Sequence, residues 1–188
     1  LHGSGNARNT AGTALLESLE KSIGDSDARL VASIGELTAL AKGDIYLHLA
    51  LDKNTSINKA EAKTGTLDIT GVKIINVLNT LAAAKDITLS ADTINVAGNV
   101  TAGDEIFLTG KSITTGASTT AVNQIDIQGE AVVVKDLTST ADAVIVDASD
   151  SFTASGNLSS AKDTTIKGGG DVTVGGSITS GQNVAIIG

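Results

Sequence analysis

Apolar residues recur in pairs, one residue apart, along the last two thirds of the chain. The pairs are Leu67/Ile69, Ile87/Leu89, Ile106/Leu108, Ile125/Ile127, Val144/Val146, Thr164/Ile166 and Val184/Ile186. The successive steps are 20, 19, 19, 19, 20 and 20 residues. Alternation with period two predicts a short strand whose named residues face inward. A second column keeps the same steps through Ile74, Ile94, Ile113, Val132, Phe152 and Val172. A third is looser and holds Val100, Leu137, Leu158 and Ile178; the coil with Thr119 has no large apolar residue there. Columns that stay in register over six steps mark an internal repeat.

Turn residues fall in columns as well. Gly98-Asn99-Val100, Gly156-Asn157-Leu158 and Gly176-Ser177-Ile178 share one corner, while Asp86, Asp104, Asn123, Asp142, Asp163 and Asn183 precede the first strand. Glycine suits corners that need a positive φ, and Asp or Asn can bond nearby backbone N–H groups in Asx turns. Each coil therefore reads as three short strands and three turns. A helix-containing repeat of similar length would need a leucine-rich signature that these Thr-, Val- and Gly-rich coils lack. A left-handed hexapeptide solenoid would keep steps divisible by six. The expectation is an all-β, right-handed parallel β-helix, or β-solenoid, with 19–20-residue coils over residues 65–188.

The first third differs. Leu15, Leu16, Leu19 and Ile23, then Leu30, Ile34, Leu37 and Ala41, follow helical spacing. Gly24 would end one helix, Asp25 or Ser26 cap a second and Gly43 close it, with a single kinked helix as the alternative. Residues 1–43 are thus expected to be a short α-helical segment that caps the solenoid or docks on another subunit. Residues 44–64 form a transition, with a strand at Ile45, Leu47, Leu49 and Leu51 and a polar loop over 52–64.

Composition narrows the function. Only Tyr46, Phe107 and Phe152 are aromatic, so the core is aliphatic. A net charge of −8, with Arg8 and Arg29 the only arginines, argues against a nucleic-acid partner. With no cysteine, disulfides and zinc-thiolate sites are excluded, and no apolar run is long enough to span a bilayer. The chain starts at Leu1 and has no methionine, which fits a processed or excised, extracellular or cell-surface form.

The stretches Gly98-Asn-Val-Thr-Ala-Gly-Asp-Glu-Ile-Phe-Leu-Thr-Gly110 and Gly168-Gly-Gly-Asp-Val-Thr-Val-Gly-Gly-Ser-Ile-Thr-Ser-Gly181 resemble the repeats of filamentous haemagglutinin-like adhesins. The resemblance covers about residues 65–188 and is one of pattern. It implies a secreted, right-handed β-helical surface fibre. The chain lacks the Asn-Pro motifs of that family's secretion domain, and no functional residue carries over.

No catalytic, cofactor-binding or metal site is expected. A lyase acting on acidic sugars needs basic residues, and coils 65–188 contain no Arg or His; their lysines, Lys73, Lys85, Lys111, Lys135, Lys162 and Lys167, are scattered. A glycosidase needs two facing carboxylates, yet Asp126 lies between inward Ile125 and Ile127 and should face outward. His2 and His48 read as exposed polar residues, the single Gly168–Val174 calcium-like repeat as corner glycines, and the Asp/Asn column as backbone caps rather than calcium ligands. Asn54, Asn99 and Asn157 begin Asn-x-Ser/Thr sequons, the latter two at the same corner. Val184, Ile186 and Ile187 form a strand edge expected to pair with another copy. The leading functional reading is a structural subunit of an extracellular filament or sheath that self-assembles end to end. An adhesin stalk with glycan or cell-surface contacts comes second, and a polysaccharide-active enzyme third.

Overall fold

The computed structural model describes residues 9–50 and 55–188. Every strand pairing in it is parallel, and all 18 strands belong to one hydrogen-bonded system. The fold is a parallel β-solenoid. No helix occurs among the described residues.

The inner columns run as the repeat predicts. Leu67, Ile87, Ile106, Ile125, Val144, Thr164 and Val184 stack in register, as do Ile69, Leu89, Leu108, Ile127, Val146, Ile166 and Ile186. All but Val184 and Ile186 are buried. Parallel strands lie about 4.8 Å apart, so each side chain packs on the equivalent one in the next coil. One inward position differs from expectation. Ile75, not Ile74, aligns with Ile94 and is fully buried, and Ile74 instead pairs with Thr93. Two adjacent isoleucines satisfy the same pattern equally, and only the neighbouring strand selects between them.

The helical expectation for residues 1–43 is corrected over its described part, residues 9–43. Residues Asn9–Ser18 (β1) and Leu30–Ala41 (β2) are strands, and Thr55–Ala62 (β4) is a strand inside the expected loop; Ile45–Leu49 (β3) is the strand expected there. β1 pairs with β2, β2 with β3 and β4, and β3 with Leu67–Gly71 (β5), so these strands extend the ladder. Leu37, Ala39 and Ala41 are buried while Thr38 and Leu40 are not, which is strand alternation. Leu15 and Leu19, two of the apolar positions on the expected helix face, are 63% and 76% exposed. Helical spacing was compatible with the sequence, but the parallel ladder gives each backbone group a partner in the adjacent coil, and that context overrides local preference.

The repeat is longer in this region. Ile23 bridges Ile45, which pairs with Leu67, two steps of 22 residues; Ala14 aligns with Leu37 across 23. Register slips between Leu37 and Thr38 add a bulge.

The third face carries a column of small residues. Ala41, Ala62, Ala83, Ala102 and Ala121 align, and the column then continues as Ser139, Ser160 and Ser180. The serines stay satisfied at the corner: Ser139 Oγ donates to Asn123 O, and Ser160 Oγ donates to Lys162 O at 3.0 Å. Nearby, Thr164 Oγ1 lies 2.9 Å from Ser160 Oγ, which is how a threonine is accommodated in the buried first column.

Corner glycines act through close approach rather than backbone handedness. Gly24 is the one described residue with a positive φ, 73°. At Gly98 a Cβ would lie 1.9 Å from Asn79 O of the preceding coil, so stacking itself demands the missing side chain.

The Asp/Asn columns bond across coils rather than within their own turns. Asp44 Oδ1 accepts from Thr66 N at 2.8 Å, Asp86 Oδ1 from Glu105 N at 3.2 Å, Asp136 Oδ1 from Asn157 N at 2.8 Å and Asp163 Oδ1 from Asn183 N at 3.0 Å. Asn side chains do the same: Asn79 Nδ2 donates to Asn58 Oδ1 at 2.6 Å, and Asn95 Nδ2 to Asn76 Oδ1 at 2.9 Å. Lys111–Asp92, Lys162–Asp142 and Lys167–Asp147 join successive coils at 3.2, 3.1 and 2.9 Å. These exposed ion pairs are each worth less than about 1 kcal/mol.

Candidate functional site on the outer face

The first strand of each coil presents two columns outward. One contains Tyr46, Asp68, Thr88, Phe107, Asp126, Ile145 and Thr165; the other contains His48, Thr70, Ser90, Thr109, Gln128, Asp147 and Lys167. Because β1 to β4 join the solenoid, Arg29, Tyr46 and His48 belong to its surface instead of an appendage. Two of the three aromatic residues of the chain, Tyr46 and Phe107, therefore stand on the same outward column.

A six-residue strap shapes the Tyr46 end of this face. Ile23 and Leu30 occupy the places that pair with Ile45 and Leu47, which are consecutive inward positions of β3. Residues 24–29 loop outward between them. Gly24 turns the chain with its positive φ, and a Cβ there would fall 2.3 Å from Tyr46 O. Asp25 and Ala28 exchange backbone bonds of 3.1 and 3.2 Å, and Asp25 Oδ1 accepts from Asp27 N at 3.2 Å.

The strap ends by laying Arg29 across two further coils. Its guanidinium lies over the Tyr46 ring, 5.8 Å from the centroid. Arg29 Nη2 pairs with Asp68 Oδ2, and Nη1 donates to Asp68 O at 3.4 Å. The second carboxylate oxygen, Asp68 Oδ1, is buried without a hydrogen-bond partner. The hydrogen bond to Asp68 raises the Arg29 pKa against the lowering effect of burial, so the cation is secure. Burial raises the Tyr46 phenol above its ordinary value, with Asp44, Asp68 and Asp25 adding to the shift and Arg29 opposing it.

His48 lies beside this cluster. Its Nδ1 is 2.9 Å from Thr70 Oγ1, and the Thr70 hydroxyl donates to Leu47 O at 3.4 Å. Among the described residues no group of three or more His, Asp or Glu side chains is arranged to hold a metal ion. Lys167 is engaged with Asp147, and the residue aligned with Asp126 in that coil is Thr165.

The other candidate residues lie apart. Val184, Ile186 and Ile187 are 49%, 50% and 53% exposed on the coil that pairs with Thr164–Lys167. Val184 and Ile186 continue inner columns, while Ile187 aligns with outward Lys167. Asn99 and Asn157 are exposed at one corner, as the repeat predicts; Asn157 Oδ1 accepts from both Ser177 N and Ser177 Oγ at 3.0 Å. Asn54 and His2 lie outside the described residues. None of the described residues belongs to a helix long and apolar enough to cross a membrane.

Sequence reading missed the Arg29–Tyr46–Asp68 cluster. The available signal was the apolar pair Ile45/Leu47, set 22 residues before Leu67/Ile69, which brings Tyr46 and Asp68 into one column. Compared with known proteins, the chain matches no family model, no curated protein and no solved structure.

Proposed function

We propose that this chain is a right-handed solenoid rod serving as a structural subunit of an extracellular filament or sheath, assembled by stacking coil on coil. The observation that carries the reading is the repetition of the fold: every strand pairing is parallel, and the inner columns pass from coil to coil in register from Leu67 and Ile69 to Val184 and Ile186. Columns of this kind can be extended by any further parallel strand that keeps the register. In this reading a second copy supplies it, and the chain performs no catalytic step.

Sedimentation and electron microscopy of the purified chain test this. The wild type is expected to form linear polymers, and Ile186→Lys to remain monomeric with an unchanged circular-dichroism spectrum. A wild type that stays monomeric at high concentration rejects the assembly.

A stalk segment of a larger secreted adhesin is the second reading. It is favoured by the Asn, Asp and Lys side chains that link each coil to the next along the rod. Such a segment would hold a binding tip away from the cell without polymerising.

A further inference from the structure

The Tyr46–Asp68 cluster has the chemistry of a receptor whose occupant is already attached. An aromatic face, a carboxylate and a backbone carbonyl converge on one planar cation, Arg29. A ring face attracts a cation, and a carboxylate accepts two parallel N–H bonds from a guanidinium. Lysine, a point charge, cannot satisfy both the carboxylate and the carbonyl in this plane.

Two features set Arg29 apart from an ordinary structural ion pair. Its fit is incomplete, since it engages Asp68 Oδ2 and Asp68 O but leaves buried Oδ1 without a partner. A guanidinium free of the strap can approach edge-on and use both oxygens. The strap is also self-contained. Its turn is held by Asp25, Asp27 and Ala28, and the ladder closes beneath it through Ile23 and Leu30. It can therefore lift without opening the solenoid.

We propose that Tyr46 and Asp68 form a guanidinium-binding site which Arg29 occupies from within the chain, and which receives an arginine side chain of a partner protein when the strap is displaced. Charge supports an arginine-bearing occupant. With Arg29 withdrawn, the Tyr46 ring is left among Asp25, Asp44 and Asp68, each of which acts on it electrostatically. The site lies within one chain, on the stacked coils that carry Tyr46 and Asp68, and needs no contact between copies, so it stands or falls separately from filament assembly.

The test uses Arg29→Ala and Arg29→Gln in the full chain, each shown to be folded by circular dichroism. Tyr46 is the one tyrosine and there is no tryptophan, so tyrosine fluorescence reports this site. N-acetyl-arginine methylamide is titrated against each variant, with the lysine and citrulline analogues as controls. Saturable binding is expected, at least ~tenfold tighter for arginine than for lysine and absent for neutral citrulline. Adding Asp68→Asn should abolish it, and wild type should need at least ~tenfold more ligand because Arg29 competes. Equal responses to arginine and lysine, or no response in a folded Arg29 variant, overturn the proposal.

Discussion

Thr119 stacks directly on Leu137 in the third inner column, fully buried, and no protein group bonds its hydroxyl. Val100 packs on its other side, so the polar atom sits between two aliphatic side chains. A buried unpaired hydroxyl costs about 1–3 kcal/mol. Thr119→Val keeps the shape and removes the orphan. It should raise stability by about 1–2 kcal/mol, measured by denaturant unfolding. A loss of stability would mean that the hydroxyl is bonded to an ordered water.

Close stacking at the corners gives a prediction of opposite sign. Gly98→Ala would drive a methyl into Asn79 O, a backbone atom that cannot swing aside. The coils must separate locally, and destabilisation of about 1–3 kcal/mol is expected. The same substitution at Gly116, where the nearest atom to an added Cβ is 3.6 Å away, should be close to neutral. Thermal unfolding of the two variants side by side checks the contrast.

Acidic residues near the first corner create a pH dependence. The Glu105 carboxyl is pushed above its ordinary range by burial and then by Asp104, Asp86 and Asp142. A raised carboxylate pKa means that the folded state binds the proton more tightly than the unfolded chain. The charged form therefore weakens the fold above the folded pKa, and the penalty is relieved as pH falls toward the unfolded value. Glu105→Gln should accordingly be more stable than wild type at neutral pH. The difference should close below the ordinary carboxylate pKa. Melting temperatures across an acid-to-neutral series would expose a pH-independent offset, which is the contrary result.

Tyr46 supplies the alkaline counterpart. Its raised pKa makes the neutral phenol part of the stable state, so its contribution is intact below the ordinary tyrosine pKa near 10 and is lost as pH rises through the folded value. Ultraviolet difference absorbance follows this single phenol without interference. Asp44→Asn retains an oxygen to accept from Thr66 N while removing a negative charge, and should lower the Tyr46 midpoint. An unchanged or higher midpoint would contradict the electrostatic assignment.

The columns from Leu67 onward were legible because coil length there is nearly constant and large aliphatic side chains fill the paired inward places of the first strand in every coil but the one with Thr164. Before Leu67 both conditions fail. Steps lengthen to 22 and 23 residues, and alanines such as Ala39 and Ala41 fill inward places where apolar alternation is faint. Leu30, Ile34, Leu37 and Ala41 also fit a helix, and nothing local distinguishes the two. The Asp and Asn columns were visible, but their partners were not, since a bond from Asp86 to Glu105 is a property of stacking. Arg29 was the hardest to place. Its position over Tyr46 depends on a loop that leaves the strand and returns, which breaks the spacing that reveals the repeat.

That excursion has a consequence for what the scaffold can tolerate. Residues 24–29 stand where β3 has the single residue Tyr46, and the flanking Ile23 and Leu30 still take adjacent inward seats. The closure entropy of a longer loop grows only slowly with its length. Any outward position between two seated aliphatics is thus a potential graft point, and the solenoid can diversify its exterior by insertion while its interior sequence stays the same.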